Sequence, residues 1–389
     1  MHTIAAFFRD RMQINALLIV LCFVSVLLLR TQSGASYSTY LLAIAMLVTI
    51  NQWNDVFSVR LMWGTVVLLL YLALTSFWSN PFVGREAFSI FSRAFLVFFF
   101  VVAFAECQLR GQLQRWLGRA MAVVGSIATL AAIIVFVVSD PVDGRLNGLG
   151  QLDTHVIAAL VYGVVLIFVL DTLVREQSLR WKSFAVISGI LITCAVLLSD
   201  SRNAWVSVLI GVGVFMLAHA TRDKQRFLAG IAAMGVVFGV LLAGLLANDV
   251  SREVLLPRGD SFRSIIWSSV VSEVIQQGPI FGLGILTDND VRAGGNTFIH
   301  PHSMYLSVLF QGGLVGLTLF AVVVIGTLRV LLRHYDSSDA KLALGVLGIA
   351  LPAYLLDGHE LIDKVGSTWL LFWLPVAISL GFRWSQPAR

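Results

Sequence analysis

LVGLTLFAVVVIGTLRVLL, residues Leu314–Leu332, carries a single charged side chain, Arg329, in a run that is otherwise apolar on every side. About 20 such residues in a helix cross the hydrocarbon core of a bilayer. Ile14–Leu29, Ala94–Ala105 and Phe184–Leu198 repeat the pattern, so it belongs to the whole chain rather than to one anchor. The 389 residues are 58% hydrophobic and 13% charged, with a mean hydropathy of +0.86. An ordinary soluble domain carries about 25% charged residues. Outer-membrane strands would alternate apolar and polar positions, and these runs do not. The expected fold is all-α, a polytopic integral membrane protein.

Twelve spans are expected, at 13–30, 36–53, 61–78, 89–106, 119–139, 154–172, 183–199, 203–220, 227–247, 302–332, 342–358 and 366–383. The run after Arg9 and Arg11 is kept as the first span because no small-residue cleavage site follows Leu29. With the N-terminus inside, about 17 of the 27 Lys and Arg residues fall in the cytoplasmic segments, as the positive-inside rule requires. The chain then divides into 1–247 with spans one to nine, a periplasmic loop at 248–301, and 302–389 with spans ten to twelve. The net charge of +5 is spread between spans, which argues for membrane lipids and no nucleic acid as its partner. Cys22, Cys107 and Cys194 lie in or beside apolar runs without paired spacing, so neither a disulfide nor a metal site is indicated.

The loop contains Arg258, Asp260, Arg263, Asp288, Asp290 and Arg292. Ser261 to Gln277 has helical spacing, with Asp260 or Ser261 able to cap it and Gly278-Pro279 to stop it. Gly282-Leu283-Gly284 and Gly294-Gly295-Asn296 give the backbone freedom to return to the membrane, as a lid folded on the bundle would.

Chemistry is expected where polar groups meet spans. His300 and His302, in His300-Pro301-His302-Ser303, stand at the outer mouth of the tenth span, where an imidazole can exchange protons near neutral pH; local hydrogen bonding at a helix start is the plainer reading. Arg202, in Asp200-Ser201-Arg202-Asn203, is squeezed between two spans, where it snorkels, pairs with Asp200 or faces an anion. Arg263 faces the same choice, near Arg258 and Glu273. Asp288-Asn289-Asp290 matches a D-x-D metal pattern only at its shortest, and a solvated turn explains it equally well.

The Ser-Arg-Asn-Ala-Trp turn, the Arg263-Ser264-Ile265-Ile266-Trp267 and Gly278-Pro279-Ile280-Phe281-Gly282-Leu283-Gly284 segments, and His302 with Gly313 follow one another in order. This sequence of motifs resembles the O-antigen ligase and polymerase superfamily of bacterial envelope glycosyltransferases. The resemblance implies an inverting, metal-independent enzyme without cofactors in the bacterial inner membrane. Its donor would be a glycan on undecaprenyl diphosphate and its acceptor a lipid A-core sugar. It places the catalytic His on His302 and the diphosphate-binding arginines on Arg202 and Arg263, with Arg258 and His300 as further possibilities. His-Pro-His-Ser replaces the His-Asn often found there. A polymerase joining two carrier-linked glycans would use the same chemistry, and the modest loop favours a ligase. A lipid or anion transporter should show inverted repeats or paired broken helices, and the sequence has neither.

Overall fold

The computed structural model describes residues 11–29, 32–49, 53–109, 111, 113–141, 143–247, 262–288, 291–293, 296–298, 300–358 and 360–384. A helix occupies each expected span. In order they are α1 (Arg11–Leu28), α2 (Gln32–Thr49), a short α3 (Trp53–Ser58) and α4 (Arg60–Leu74), which a 3-10 turn continues to Trp78. Then come α5 (Gly84–Leu109), α6 (Gly118–Ser139), α7 (His155–Arg175), α8 (Leu179–Leu198), α9 (Arg202–Ala220) and α10 (Lys224–Ala247). The loop contributes α11 (Arg263–Gln277) and a hairpin of β1 (Val291–Ala293) and β2 (Asn296–Phe298). The last part is α12 (Met304–Arg333), α13 (Ser338–Leu356) and α14 (Leu374–Trp384), which follows a π turn at Trp369–Trp373. Among the described residues, eight helices are long and apolar enough to cross a membrane, and Ile14–Leu28, Ser36–Val48 and Trp369–Phe382 are shorter apolar helices. The chain is an all-α polytopic membrane protein.

Helix α7 is central, buried continuously from Ala158 to Val169, whereas α8 turns Val186, Ile187, Ile190 and Leu197 outward. Lipid makes such exposure cheap, so close van der Waals packing of small residues, not oil-water segregation, fixes helix contacts. Gly211 of α9 lies against α13 so tightly that an added Cβ would sit 2.2 Å from Ile349 Cγ1 and 2.8 Å from Gly345 O. The two helices run antiparallel, with Asn203 meeting Ala353, and the start of α9 is thereby brought to the end of α13. At the opposite ends, Arg175 pairs with Asp171 and Asp339, each at 2.7 Å. Residues expected on one side of the membrane thus meet their own kind: Arg119 pairs with Glu176 at one end, and Arg93 with Glu360 at the other, at 3.5 Å. In this second cluster Asp363 lies 4.0 Å from Arg93, and burial, with Glu360 beside it, pushes its carboxyl up to about 7.

Two features differ from the sequence reading. The loop helix begins at Arg263, with Phe262 at its N-cap in a left-handed conformation (φ 64°) and no side-chain cap. The expected caps Asp260 and Ser261, like Arg258, lie outside the described residues. Ile266, Val270 and Val274, one turn apart, pack with Val291 and Phe310, which seats α11 on the bundle. The second difference concerns α12, which is not one continuous helix: Gly313 (φ 60°, ψ −159°) interrupts it. The Gly278–Gly284 segment supplies the missing partners. Leu283 N–H donates to Phe310 O (2.8 Å) and Gly284 N–H to Gln311 O (3.1 Å), while Leu314 and Val315 N–H donate to Pro279 O (3.0 Å) and Ile280 O (3.1 Å). On its other side the segment is held by Thr75 and Ser79, whose hydroxyls accept from Ile285 and Leu286 N–H, each at 3.0 Å.

The glycines here supply both positive φ and close contact. A Cβ on Gly313 would meet Ile280 C and O at 2.4 Å. Gly313→Ala therefore combines the cost of a backbone conformation that is essentially glycine-only (φ 60°, ψ −159°), about 1–3 kcal/mol, with the opening of cross-segment hydrogen bonds worth about 0.5–1.5 kcal/mol each. A loss of at least about 3 kcal/mol is expected from these, read as a fall in thermal midpoint in detergent micelles. Gly144→Ala, at φ 63° with nothing within 4 Å of the new Cβ, is the comparison for a positive-φ glycine without a clash.

Candidate active site

The last turn of a helix leaves carbonyls without intrahelical donors, and in α13 these carbonyls gather the neighbourhoods of all three principal site residues. Asn203, next to Arg202, donates Nδ2–H to Ala353 O at 3.3 Å. Ser303, next to His302, donates its hydroxyl to Tyr354 O at 3.3 Å. Arg263 donates directly, Nη2–H to Leu356 O at 3.4 Å. Ala353 and Leu356 are three residues apart, about 4.5 Å of helix rise. The structure therefore brings the turn carrying Arg202, the first residue of α11 and the His-Pro-His segment to one place.

A second set of contacts links the loop to the histidines. Trp267 Nε1–H donates to Pro301 O at 3.1 Å. Phe262 packs on Phe298 at 6.0 Å between ring centroids, Phe298 on His302 at 6.2 Å, and His302 against His300 at 4.0 Å. Both imidazoles are half-buried and are neighbours. Arg202 is exposed at the first position of α9, where the helix dipole favours an anion. Arg263 is half-buried, and its Nε is buried with no hydrogen-bond acceptor among the described residues.

Backbone strain follows the same residues. Among the described non-glycine residues, φ is positive at Asp140, Asp200, Phe262 and His302. One is His302 itself; Phe262 precedes Arg263, Asp200 stands two residues before Arg202, and Asp140 opens the neighbouring loop. Such conformations cost about 1–3 kcal/mol each and collect at working sites.

Asp200, one of the partners the sequence offered to Arg202, is engaged by another arginine. Asp200 Oδ2 accepts from Arg145 Nη2–H at 3.2 Å, and Arg145 Nη1–H reaches His155 Nε2 at 3.3 Å. The sequence reading treated Arg145 as part of a turn and His155 as a span end; an arginine in an outer loop beside two acidic turn residues was the available signal. Asp290 lies outside the described residues, so the Asp288–Asp290 pair has no described geometry, and Asp288 is exposed.

A cavity of about 770 Å³ lies elsewhere, lined by Leu74, Phe77, Trp78 and the Gly278–Gly282 segment. Gln277 at the end of α11 touches it, about 21 Å by helix rise from Arg263. Its walls are mainly apolar.

Comparison with known proteins agrees with this architecture. A family model described as O-antigen ligase matches residues 187–321, which contain Arg202, Arg263, the loop and the break in α12. An O-antigen ligase from Pseudomonas aeruginosa is 27% identical over 332 residues, covering 81% of this chain and 77% of that one. A putative polysaccharide ligase from Rickettsia conorii is 26% identical over 161 residues, 37% of this chain and 38% of that one; one from Rickettsia felis is 23% identical over 177 residues, 42% and 43%. Fold and matches together define a polytopic membrane glycosyltransferase. The chain is similar to proteins of the O-antigen ligase type, the superfamily that the motif order resembles.

Proposed function

We propose that the protein transfers an O-antigen glycan from undecaprenyl diphosphate to a hydroxyl of the lipid A-core, with inversion and without a metal ion, at the periplasmic face of the inner membrane. In this reading 1–247 and 302–389 form the membrane frame and 248–301 the periplasmic loop that closes over the site. The observation that supports it is that Asn203, Arg263 and Ser303 each donate to a carbonyl at the end of α13, which gathers Arg263 and the segments carrying Arg202 and the His300–His302 pair at one helix end. Two guanidiniums suit a diphosphate because their planar donors bind its oxygens in pairs.

The acceptor hydroxyl oxygen attacks the anomeric carbon from the face opposite the diphosphate. His302 takes the hydroxyl proton as the new carbon–oxygen bond forms. The bond between the anomeric carbon and the diphosphate oxygen breaks, and the electron pair leaves with undecaprenyl diphosphate. Arg202 and Arg263 stabilise the charge that grows there, the task a divalent cation performs in other transferases.

A deletion strain tests the reading. It is expected to accumulate unsubstituted lipid A-core while carrier-linked glycan is still polymerised. Core bearing one repeat unit would instead make the protein a polymerase. Purified protein in vesicles is expected to keep its transfer rate in excess chelator, and a loss restored by a divalent ion would overturn the metal-free mechanism.

A further inference from the structure

Arg93 lies well inside α5, about 13 Å of helix rise from its first residue, Gly84, where a charged side chain is costly unless it is paired or working. Its partners come from the segment that links α13 to α14. Nη1 stands 3.5 Å from Glu360 Oε2 and 4.0 Å from Asp363 Oδ1. That segment leaves the helix end where Leu356 O accepts from Arg263. Gly358, at φ 95°, turns it against Met304, the first residue of α12, whose Cε would be 3.3 Å from an added Cβ. Leu361, Ile362 and Val365 then enter the core. Trp373 and Trp369 donate Nε1–H to Leu361 O (3.0 Å) and Asp363 O (3.2 Å), and the Thr368 hydroxyl donates to Glu360 O (3.3 Å). The segment is thus fastened to the π turn by its backbone and to α5 by charge. One guanidinium faces two carboxylates, and a proton offsets the excess: burial and the neighbouring Glu360 push the Asp363 carboxyl up to about 7, while Arg93 draws it down.

We propose that Arg93 is a positioning residue: by holding Glu360 and Asp363 it seats residues 360–365 against α5, and so fixes the end of α13 to which Asn203, Arg263 and Ser303 are bonded. The inference rests on the reading that glycan transfer takes place at that helix end. The charges that act on Asp363 are Glu360 on its own segment and Arg93 on α5. Lys364 beside it donates its backbone N–H to Asp363 Oδ1 at 2.6 Å. The end of α13 adds Tyr354 and Asp357, the π turn offers only tryptophan, leucine and phenylalanine, and His359 lies outside the described residues. Taking away one member of such a cluster leaves a charge without compensation, which costs more than taking away the whole cluster.

The test uses the full chain in vesicles, with undecaprenyl-diphosphate-linked glycan as donor and lipid A-core as acceptor. Each variant is read as a ratio to the natural protein at the same pH, which cancels the ionisation of His302. Arg93→Gln is expected to lower kcat about 10²-fold at about pH 8, the size of a misplaced reacting group. The Asp363 carboxyl, already raised, rises further without the guanidinium, so protons replace the lost charge as pH falls, and the loss is expected to shrink below about ten-fold at about pH 6. Deuterium exchange in residues 354–368 is expected to quicken where kcat falls. In Arg93→Gln/Glu360→Gln/Asp363→Asn no charge is left over, and both readouts are expected within about three-fold of the natural protein at about pH 8. Asp363→Asn alone leaves one carboxylate for one guanidinium; it is expected to keep its rate within about three-fold at either pH, and it carries the test if Arg93→Gln does not fold. A triple variant no better than Arg93→Gln, an Arg93→Gln loss that is the same at both pH values, or a loss in Asp363→Asn as deep as that of Arg93→Gln would overturn the proposal. So would lost transfer with unchanged exchange. If exchange quickens while transfer holds, the end of α13 is not where transfer occurs, and it is the underlying reading that fails.

Discussion

Removing both guanidiniums, in Arg202→Ala/Arg263→Ala, is expected to lower kcat/KM for glycan transfer by about 10⁴-fold or more, since a single preorganised donor at a developing oxyanion is worth about 10²–10³-fold. The two contributions differ in origin. Arg202 opens α9, so its charge adds to the positive end of the helix dipole, and it is exposed to whatever enters from the loop side. Arg263 spends Nη2 on Leu356 O at 3.4 Å and keeps Nε buried without an acceptor among the described residues. A buried donor left unsatisfied is costly, and a phosphate oxygen would relieve it. Lysine cannot repeat this division of labour, because one ammonium would have to serve the carbonyl and the phosphate together; Arg263→Lys is expected to recover less than a tenth of the lost activity. The measurements are initial rates in vesicles at several donor concentrations. Full activity in Arg263→Ala with loss in Arg258→Ala would move the second anion ligand five residues back along the chain.

How much of this was legible in the sequence depends on the range of the forces involved. Span positions needed only the length and apolarity of each run, and a helix stands at all twelve expected places. The break in α12 was not readable, although Gly313 had been singled out. An apolar stretch looks the same whether its N–H groups donate within the helix or to Pro279 and Ile280, and those partners lie more than thirty residues upstream. Gly282 and Gly284 use the freedom to turn that was read for them, at φ 75° and 101°; what was not legible is that Gln311 and Ser79 occupy the space a Cβ would need at each. The β1–β2 hairpin, three residues to a strand, is too short to announce itself by alternation.

At the proposed site, residue type and motif order selected Arg202, Arg263 and His302, because charged and titratable side chains beside membrane spans are rare and expensive. The element that assembles them was invisible. Ala353, Tyr354 and Leu356 contribute backbone carbonyls, which carry no residue-specific signal, and only the antiparallel α9–α13 crossing at Gly211 and Gly345 puts those carbonyls within reach of Asn203. Arg145 was missed because its partner, Asp200, is 55 residues away.

Replacement of His302 by asparagine is the cleanest way to separate the imidazole from the backbone it sits on. At φ 51° an alanine would be strained as well as chemically inert, so His302→Ala alone would mix a folding defect with a catalytic one. Asparagine is among the few residues that occupy the left-handed region readily, and it leaves the Ser303 bond to Tyr354 O and the start of α12 undisturbed. His302→Asn is therefore expected to keep the thermal midpoint within a few degrees while transfer falls by about 10²–10⁴-fold, the usual worth of a positioned general base. Glycine, which relieves the strain altogether, is expected to be equally inactive, whereas a strain-borne function would recover in it. His300, whose ring lies 4.0 Å from that of His302, supplies the comparison. As a packing neighbour it is expected to cost about ten-fold or less on replacement, through the orientation of the second ring. If instead His300→Asn abolishes transfer and His302→Asn stays within about three-fold, a reversal of the ordinary general-base loss, the proton is taken by the other imidazole of the pair.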